Sequence, residues 1–333
     1  MHFSFTKHLF EFKKPAKTSR GAYNSKYTWI LKLHTEQGDF EGEISPLFDL
    51  SIDGDCDFDS ELRVITEKNY NSNSLIELIH EWQNLPTLRF GLSSIIYKMK
   101  KPLPTPFIEK KQGILINGLV WMNDIDAMFE EALSKIESGF NCIKFKVGAL
   151  DFDSECRLLE KIRSLYSPNK IQIRLDANGA FEVDDSLIKM KELAKFDIHS
   201  IEQPIAANQI DAMEELCCKS KLKIALDEEL IRLPPSEISK TLLKIKPAYL
   251  ILKPTLLGGF DRCDEIIRFA ENNNIGWWCT SALESNKGLF DIANWVSKYD
   301  QSYDFHQGLG TGLLYKENFN ERTVIEKGVL YAS

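Results

Sequence analysis

From residue 113 onward the hydrophobic and polar positions follow one repeating scheme. A short β-rich apolar run is followed by a polar turn and then by a stretch in which apolar residues recur at helical spacing. The runs predicted as strands are 114–119, 142–147, 171–176, 199–202, 223–227, 249–253, 276–280 and 303–308. Between them helices are predicted over segments such as 153–165, 184–194, 210–219, 235–243, 261–272 and 287–297. Several open on Asp, Ser or Pro, the residues that satisfy or tolerate the free backbone groups of a helix start. Strand–helix alternation predicts parallel pairing, and eight strands with right-handed crossovers close most simply into a (β/α)8-type barrel. Only about 25 residues follow 308, and 322–325 and 328–331 read as strands, so the last helix is expected to be missing or replaced.

Residues 1–110 follow a different scheme. Alternating strands near 27–35 and 39–44, a Ser-Pro turn, and helices near 60–67, 74–84 and 92–100 make an α+β unit. It ends at 101–106, where Pro102, Pro104 and Pro106 predict a stiff extended connector.

Composition narrows the function class. The 333 residues are 43% hydrophobic and 27% charged, which fits an ordinary globular chain and neither a disordered nor a fibrous one. Against 41 basic side chains stand 49 acidic ones, a net charge of −8, so nucleic acid is not the expected partner. The longest apolar run, 114–122, is interrupted by Asn117 and falls short of the roughly 20 residues a membrane span needs, so no membrane partner is expected. Lys7, His8 and Lys13 stand where a signal peptide would be apolar, which makes a cytoplasmic location the expectation. The seven cysteines show no zinc-type pairing and no disulfide-scaffold density, and are expected as reduced thiols.

In a parallel barrel the chemistry sits at the C-terminal ends of the strands. There the sequence places Lys144 and Lys146, then Arg174 and Asp176, then Glu202, Asp227 and Lys253, about one strand–helix unit apart from Asp176 onward. The two-residue period of a strand puts Lys144 with Lys146, and Arg174 with Asp176, on one face, leaving Phe145 and Leu175 for the helix layer. Three carboxylates drawn within about 4 Å of one another repel by about 4 kcal/mol per pair at an effective dielectric near 20, which calls for a cation. An all-oxygen ligand set favours Mg²⁺ over zinc, with Mn²⁺ as a substitute. Two lysines flanking such a metal suit removal of a proton α to a carboxylate and stabilisation of the resulting enediolate.

The segments CIKFKVG, RLDANGAF, IEQP, ALDEE, LILKPTLLGG, TSALES and GLGTG together resemble the enolase superfamily, muconate-lactonising-enzyme subgroup. The resemblance spans nearly the whole chain. It implies a (β/α)7β TIM-like barrel over 111–311 and an α+β capping domain over 1–110, with the tail 312–333 packing back on that domain. It implies Asp176, Glu202 and Asp227 as Mg²⁺ ligands, Lys146 as general base and Lys253 as the cation on the opposite face. Lys144, Arg174 and Asn178 would support the ligands, backbone N–H groups of Thr280, Ser281, Ala282 and Gly308 would hold a substrate carboxylate, and Arg20 and Gly21 would belong to a lid. GEISPL, INGLVWM and SALES followed by GLGTG point, within the subgroup, to syn-dehydration of 2-succinyl-6-hydroxy-2,4-cyclohexadiene-1-carboxylate to 2-succinylbenzoate. The alternative is an N-acylamino-acid racemase or dipeptide epimerase using the same two lysines, and a third reading is a barrel that binds without catalysis. A dipeptide epimerase is expected to carry an acidic pair near the eighth strand, where HQGLGTG has none. His306 and His199 are read as structural, Trp121, Trp277 and Trp278 as barrel filling, and Gly258-Gly259 as lacking a nucleotide-binding pattern.

Overall fold

The structure is a computed structural model that describes residues 1–18, 21–100, 105–109, 112–320 and 323–333, the side chains of Lys17 and Thr18 excepted. Strands β1 (His2–Thr18), β2 (Gly21–Thr35) and β3 (Gly38–Ile44) form an antiparallel sheet in that order. The sequence pattern predicted β2 and β3 and missed β1, for a physical reason. Phe3 is buried in the sheet's own core with Trp29, Leu31 and Leu33, whereas Phe10, Phe12 and Ala16 are buried in the core shared with the barrel. A strand that changes its buried face partway has no single two-residue stripe.

Helices α1 (Phe58–Thr66), α2 (Ser72–Glu81) and α3 (Pro86–Met99) cover the sheet. The Asp57 carboxylate accepts from Ser60 N–H at the start of α1, Asn71 caps α2, and Pro86 occupies the first turn of α3, where its missing N–H costs nothing. Residues 101–104 lie outside the described residues. Thr105 is buried and Pro106 opens a single turn, α4 (Pro106–Glu109), where an extended connector was expected; proline is compatible with a first helical turn.

The barrel strands are β5 (Gly118–Val120), β6 (Cys142–Lys146), β7 (Gln172–Asp176), β8 (Ser200–Glu202), β9 (Ile224–Leu226), β10 (Tyr249–Leu252) and β11 (Gly276–Cys279), preceded by β4 (Ile114–Leu115). They form a parallel sheet in the order β5 to β11. Helices α5 (Ile125–Glu137), α6 (Phe152–Leu165), α7 (Val183–Leu193), α8 (Ile210–Lys219), α9 (Glu228–Arg232) with α10 (Pro235–Ile245), α11 (Pro254–Leu257) with α12 (Phe260–Asn272), and α13 (Asn286–Val296) with α14 (Gln301–Asp304) fill the crossovers. Helix α5 was not among the predicted helices, although Asp124 caps it and Met128, Phe129 and Ala132 form its buried stripe. The eighth strand is shorter than 303–308. Its start is taken by α14, and closure rests on Gln307 bridging to Ile116 and Gly308 bridging to Thr280. The result is a (β/α)7β barrel.

The tail divides. Tyr315 bridges to Phe12, Lys13 N–H donates to Leu314 O, and Lys316 N–H donates to Glu11 O, so this stretch lies along β1. Beyond it, β12 (Thr323–Glu326) and β13 (Val329–Ala332) form a hairpin whose second strand pairs with β4. The 323–332 segment therefore packs mainly against the barrel domain, through β4, and meets the 1–110 unit expected for the tail at α4. It takes the pairing edge that β4, outside the barrel sheet, leaves open.

Helix α3 clamps the two domains. The Arg89 guanidinium reaches Asp261 at 2.9 and 2.6 Å and also the Gly258 carbonyl, while Ser93 Oγ accepts from Phe260 N–H. Gly259 has φ +120°, and a Cβ there would lie 2.5 Å from Ser93 Cβ. The Gly-Gly pair thus serves close packing between the domains. Gly259→Ala is expected to destabilise the protein by roughly 2–4 kcal/mol, from backbone strain plus overpacking, read by urea unfolding.

Candidate active site

The parallel register sets Lys146 beside Asp176 and Asp176 beside Glu202 at the C-terminal ends of β6, β7 and β8. Asp227 directly follows β9 and Lys253 directly follows β10. All five side chains are nearly excluded from solvent. Strand ends hold these backbones in the sheet framework, which limits the freedom that remains mainly to side-chain rotamers.

Lysine ammonium groups pair with all three carboxylates. Lys144 Nζ lies 3.1 Å from Asp176 Oδ2 and 2.9 Å from Glu202 Oε2, and Lys253 Nζ donates to Asp227 Oδ2. Lys146 Nζ reaches Asp176 Oδ2 and Asn178 Oδ1, each at 2.7 Å. Asn178 in turn donates from Nδ2 to Glu228 Oε1 at 2.9 Å, which turns its carbonyl oxygen toward Lys146.

Lys146 and Lys253 differ in kind. Burial draws Lys146 below the ordinary lysine range, with the charges of Lys144 and Lys253 helping and Asp176 opposing. Burial acts on Lys253 too, but Asp227, Glu228 and Asp176 outweigh it and hold that ammonium above the usual range. Burial likewise disfavours the charge of Lys144, and Glu202 and Asp176 more than offset it. Among the carboxylates, burial and the charges of Asp176 and Asp227 push Glu202 up to about 8, although Lys144 opposes. Burial also raises Asp227, against the pull of Lys253. Asp176 goes the other way: burial is overcome by the three lysines around it and its carboxyl sits well below the usual range.

The carboxylates were expected to converge as a ready ligand cluster. Among the described residues no three His, Cys, Asp or Glu side chains stand close enough to hold a metal as placed; the Lys144 ammonium bridges Asp176 and Glu202, and the Lys253 ammonium pairs with Asp227. The donor set nevertheless fits a hard divalent cation. Glu202 Oε1 and Asp227 Oδ1 are fully buried oxygens with no hydrogen-bond partner among the described residues. Buried carboxylate oxygens without a donor are costly, and a cation coordinating oxygen removes that cost.

Lys144, Lys146, Asp176, Asn178 and Lys253 line a cavity of about 890 Å³ together with Thr280, Ser281, Ala282, Gly308 and Thr311. The N-terminal domain closes it with Lys13, Lys14, Tyr23, Leu47 and Leu50. Trp121 also lines it, half-buried, and so is not the barrel filling it was read as; Trp277 and Trp278 are fully buried and fill the interior. Of the expected lid pair, Arg20 lies outside the described residues and Gly21 is the exposed first residue of β2.

Two expectations need correction. The backbone N–H groups assigned to a substrate carboxylate are already engaged: Thr280 donates to Leu252 O, Ser281 to Gly308 O, Ala282 to Glu284 Oε2 and Gly308 to Cys279 O, at 2.7–3.0 Å. Two of the four bonds join β11 to the closing eighth strand, one continues the β10–β11 pairing, and the other holds the following turn, so all four donors are engaged. What this rim presents instead is the Thr280 hydroxyl, buried and without a partner among the described residues. Arg174 is likewise not at the cavity. It is fully buried one strand pleat below Asp176, 3.8 Å over the Trp278 ring, and donates to the His306 carbonyl at 2.7 Å. It supports the barrel interior, and among the described residues it makes no hydrogen bond to the Asp176, Glu202 or Asp227 side chain.

His306 bonds Asn141 at 2.6 Å, at the N-terminal end of β6, and burial with the Arg174 charge lowers it to about 4. His199 stacks on Tyr249 and is lowered to about 3 by the same causes. Neither reaches the site. The sequence reading missed Glu228 and Gln203. Gln203 Oε1 accepts from Asp227 N–H and Glu229 N–H, tying the ends of β8 and β9. The signal was in ALDEE and IEQP, where a polar residue directly follows each strand-end carboxylate.

Comparison with known proteins agrees with this geometry. Residues 127–332 match the family model described as "Enolase C-terminal domain-like". An o-succinylbenzoate synthase of Desulfotalea psychrophila is 37% identical over 100% of this chain and 99% of its own, and the N-succinyl-L-Arg/Lys racemase of Bacillus cereus is 25% identical over 84% and 80%. Among solved structures, MenC from Desulfotalea psychrophila superposes with a TM-score of 0.86 at 34% identity, covering 100% of this chain and 99% of that one. The substrate-liganded L-Ala-D/L-Glu epimerase of Bacillus subtilis gives 0.85 at 16% identity, covering 100% and 96%, which speaks to the fold alone. No helix among the described residues is long and apolar enough to cross a membrane. With the barrel, its five strand-end residues and these matches in hand, the chain belongs to the enolase superfamily.

Proposed function

We propose that the chain has o-succinylbenzoate synthase activity: it removes water from 2-succinyl-6-hydroxy-2,4-cyclohexadiene-1-carboxylate to give 2-succinylbenzoate, with Mg²⁺ as cofactor, in cytoplasmic menaquinone biosynthesis. The observation that carries this reading is a single cavity lined by Lys146 and Lys253 whose rim at Gly308, Gly310 and Thr311 bears no acidic side chain. Such a rim suits a substrate that is anionic and lacks an ammonium group. The full-length similarity to a synthase supports the same choice.

In this reading Asp176, Glu202 and Asp227 hold the metal. A bound Mg²⁺ supplies Lewis-acid stabilisation of negative charge developing on the substrate carboxylate. Lys146, as free amine, takes the α-proton, and the C–H electron pair moves into the bond between the ring carbon and the carboxylate, which gains enediolate character; that pair returns to the ring in the next step, as the C–O bond breaks. The resulting Lys146 ammonium then donates that proton to the departing hydroxyl on the same face, so C–O breaks, water leaves and the ring becomes aromatic. Asn178 and Asp176 hold Lys146 Nζ in place throughout. Lys253 keeps its proton and faces the developing charge from the other side, a preorganised cation in a water-poor site.

A competition assay tests the substrate assignment. With both substrate types available, kcat/KM for the cyclohexadiene is expected to exceed that for racemisation of any N-succinylamino acid or dipeptide by at least about 10²-fold, or about 2.7 kcal/mol. A larger value for α-proton exchange on an N-succinylamino acid in D₂O would make the racemase the primary activity.

A further inference from the structure

Across the barrel from β7, the turn after β11 forms part of the cavity wall through Ser281, Ala282 and Leu283. Leu283 has φ +60°, a left-handed conformation that a side chain of its size adopts only when its surroundings impose it. Its backbone is held at both ends. Its N–H donates to Ser281 Oγ at 3.2 Å, and its carbonyl accepts from Tyr315 OH at 2.6 Å and from Lys26 Nζ at 3.0 Å.

Lys26 lies on β2, in the other domain. Its side chain is 3% exposed, and its three other-domain and local partners are all main-chain carbonyls: Leu283 O, Ala282 O at 3.2 Å and Ser45 O at 3.3 Å. An ammonium has three donors, and here each has one acceptor. The carboxylates facing it, Glu43 from β3 and Glu284 from the turn itself, are engaged elsewhere, Glu43 with Ser285 and Gly288 and Glu284 with Thr255 and Ala282. Burial brings Lys26 down to about 8, so at neutral pH it carries the proton the third bond needs.

We infer that Lys26, with Tyr315, is a positioning residue for the substrate: it reaches from the N-terminal domain to lock the strained Ala282-Leu283 turn into the shape of the cavity wall. This deepens the synthase reading and rests on it for the identity of the substrate. Lys26 touches neither the reacting groups nor the metal ligands. Its removal should therefore change how the wall receives substrate and leave the proton transfer at Lys146 largely intact.

The experiment uses Lys26→Met and Tyr315→Phe in the full chain, with two readouts. Hydrogen exchange is followed in the peptide spanning 281–285 and, as an internal control, across β6–β9. Steady-state kinetics with the cyclohexadiene carboxylate and Mg²⁺ separate KM from kcat. For Lys26→Met the expected result is exchange at 281–285 faster by at least about tenfold with β6–β9 unchanged, and KM raised by about tenfold with kcat within about threefold, the tenfold corresponding to a net loss of about 1.4 kcal/mol in substrate binding. Unchanged exchange at 281–285, or a kcat loss with KM unmoved, overturns the inference. If Lys26→Met fails to fold, Tyr315→Phe decides in the same terms, with a smaller shift in the same two quantities supporting and no shift overturning. If the wild-type chain leaves the cyclohexadiene unconverted, the synthase reading falls, and the exchange arm still decides whether Lys26 locks the turn.

Discussion

Replacing Lys146 by alanine is expected to lower kcat by at least about 10³-fold while changing Mg²⁺ affinity by no more than about threefold. Lys146 is asked to do two jobs in sequence, accepting the α-proton and returning it to the leaving hydroxyl, and its substitute can do neither. The metal ligands keep their places. Asp176 loses one of two lysine partners but retains Lys144 at 3.1 Å, and Glu202 and Asp227 do not touch Lys146. Steady-state kinetics beside calorimetric Mg²⁺ titration separate the two quantities. Residual turnover within tenfold of wild type would remove Lys146 from the role of base.

The second large effect concerns the metal. Mg²⁺ at about a hundred times its Kd is expected to raise the unfolding free energy by about 2.7 kcal/mol, because the folded state binds it and the unfolded chain does not. Glu202→Gln should erase most of that gain while leaving metal-free stability nearly unchanged. The substitution keeps the shape of the side chain and an oxygen able to accept from Lys144, and Lys144 keeps its bond to Asp176. Lys146→Ala should retain the Mg²⁺ gain. Thermal unfolding with and without Mg²⁺ or a chelator reads all three, independently of turnover. Equal stabilisation of wild type and Glu202→Gln would place the metal elsewhere.

Much of this site could be read before any coordinates. The helices and strands of the barrel announce themselves because each crossover repeats the same change from a two-residue to a 3.6-residue period, and the strand-end residues recur with it. What escaped has specific causes. β1 splits its buried face between two cores, so its alternation is out of phase with itself. The eighth strand is two bridging residues, shorter than any pattern can register. Arg174 shares the inward face of β7 with Asp176, and the two-residue period that places both inward says nothing about depth; one pleat separates a cavity residue from a buried one. The backbone donors expected at 280–282 and 308 are engaged by pairing or by a turn, including a closure contact between residues 28 positions apart that local pattern does not encode. Lys26 gave no signal at all, since its acceptors are main-chain carbonyls up to 257 positions away.

The measurement that tests the central claim most directly is an absorbance assay on the purified protein with 2-succinyl-6-hydroxy-2,4-cyclohexadiene-1-carboxylate and Mg²⁺, following loss of the diene as the aromatic ring forms, with EDTA as control. Rapid conversion that stops on chelation and resumes when Mg²⁺ is restored is the predicted result. Folded, Mg²⁺-binding protein that leaves the diene untouched would contradict it.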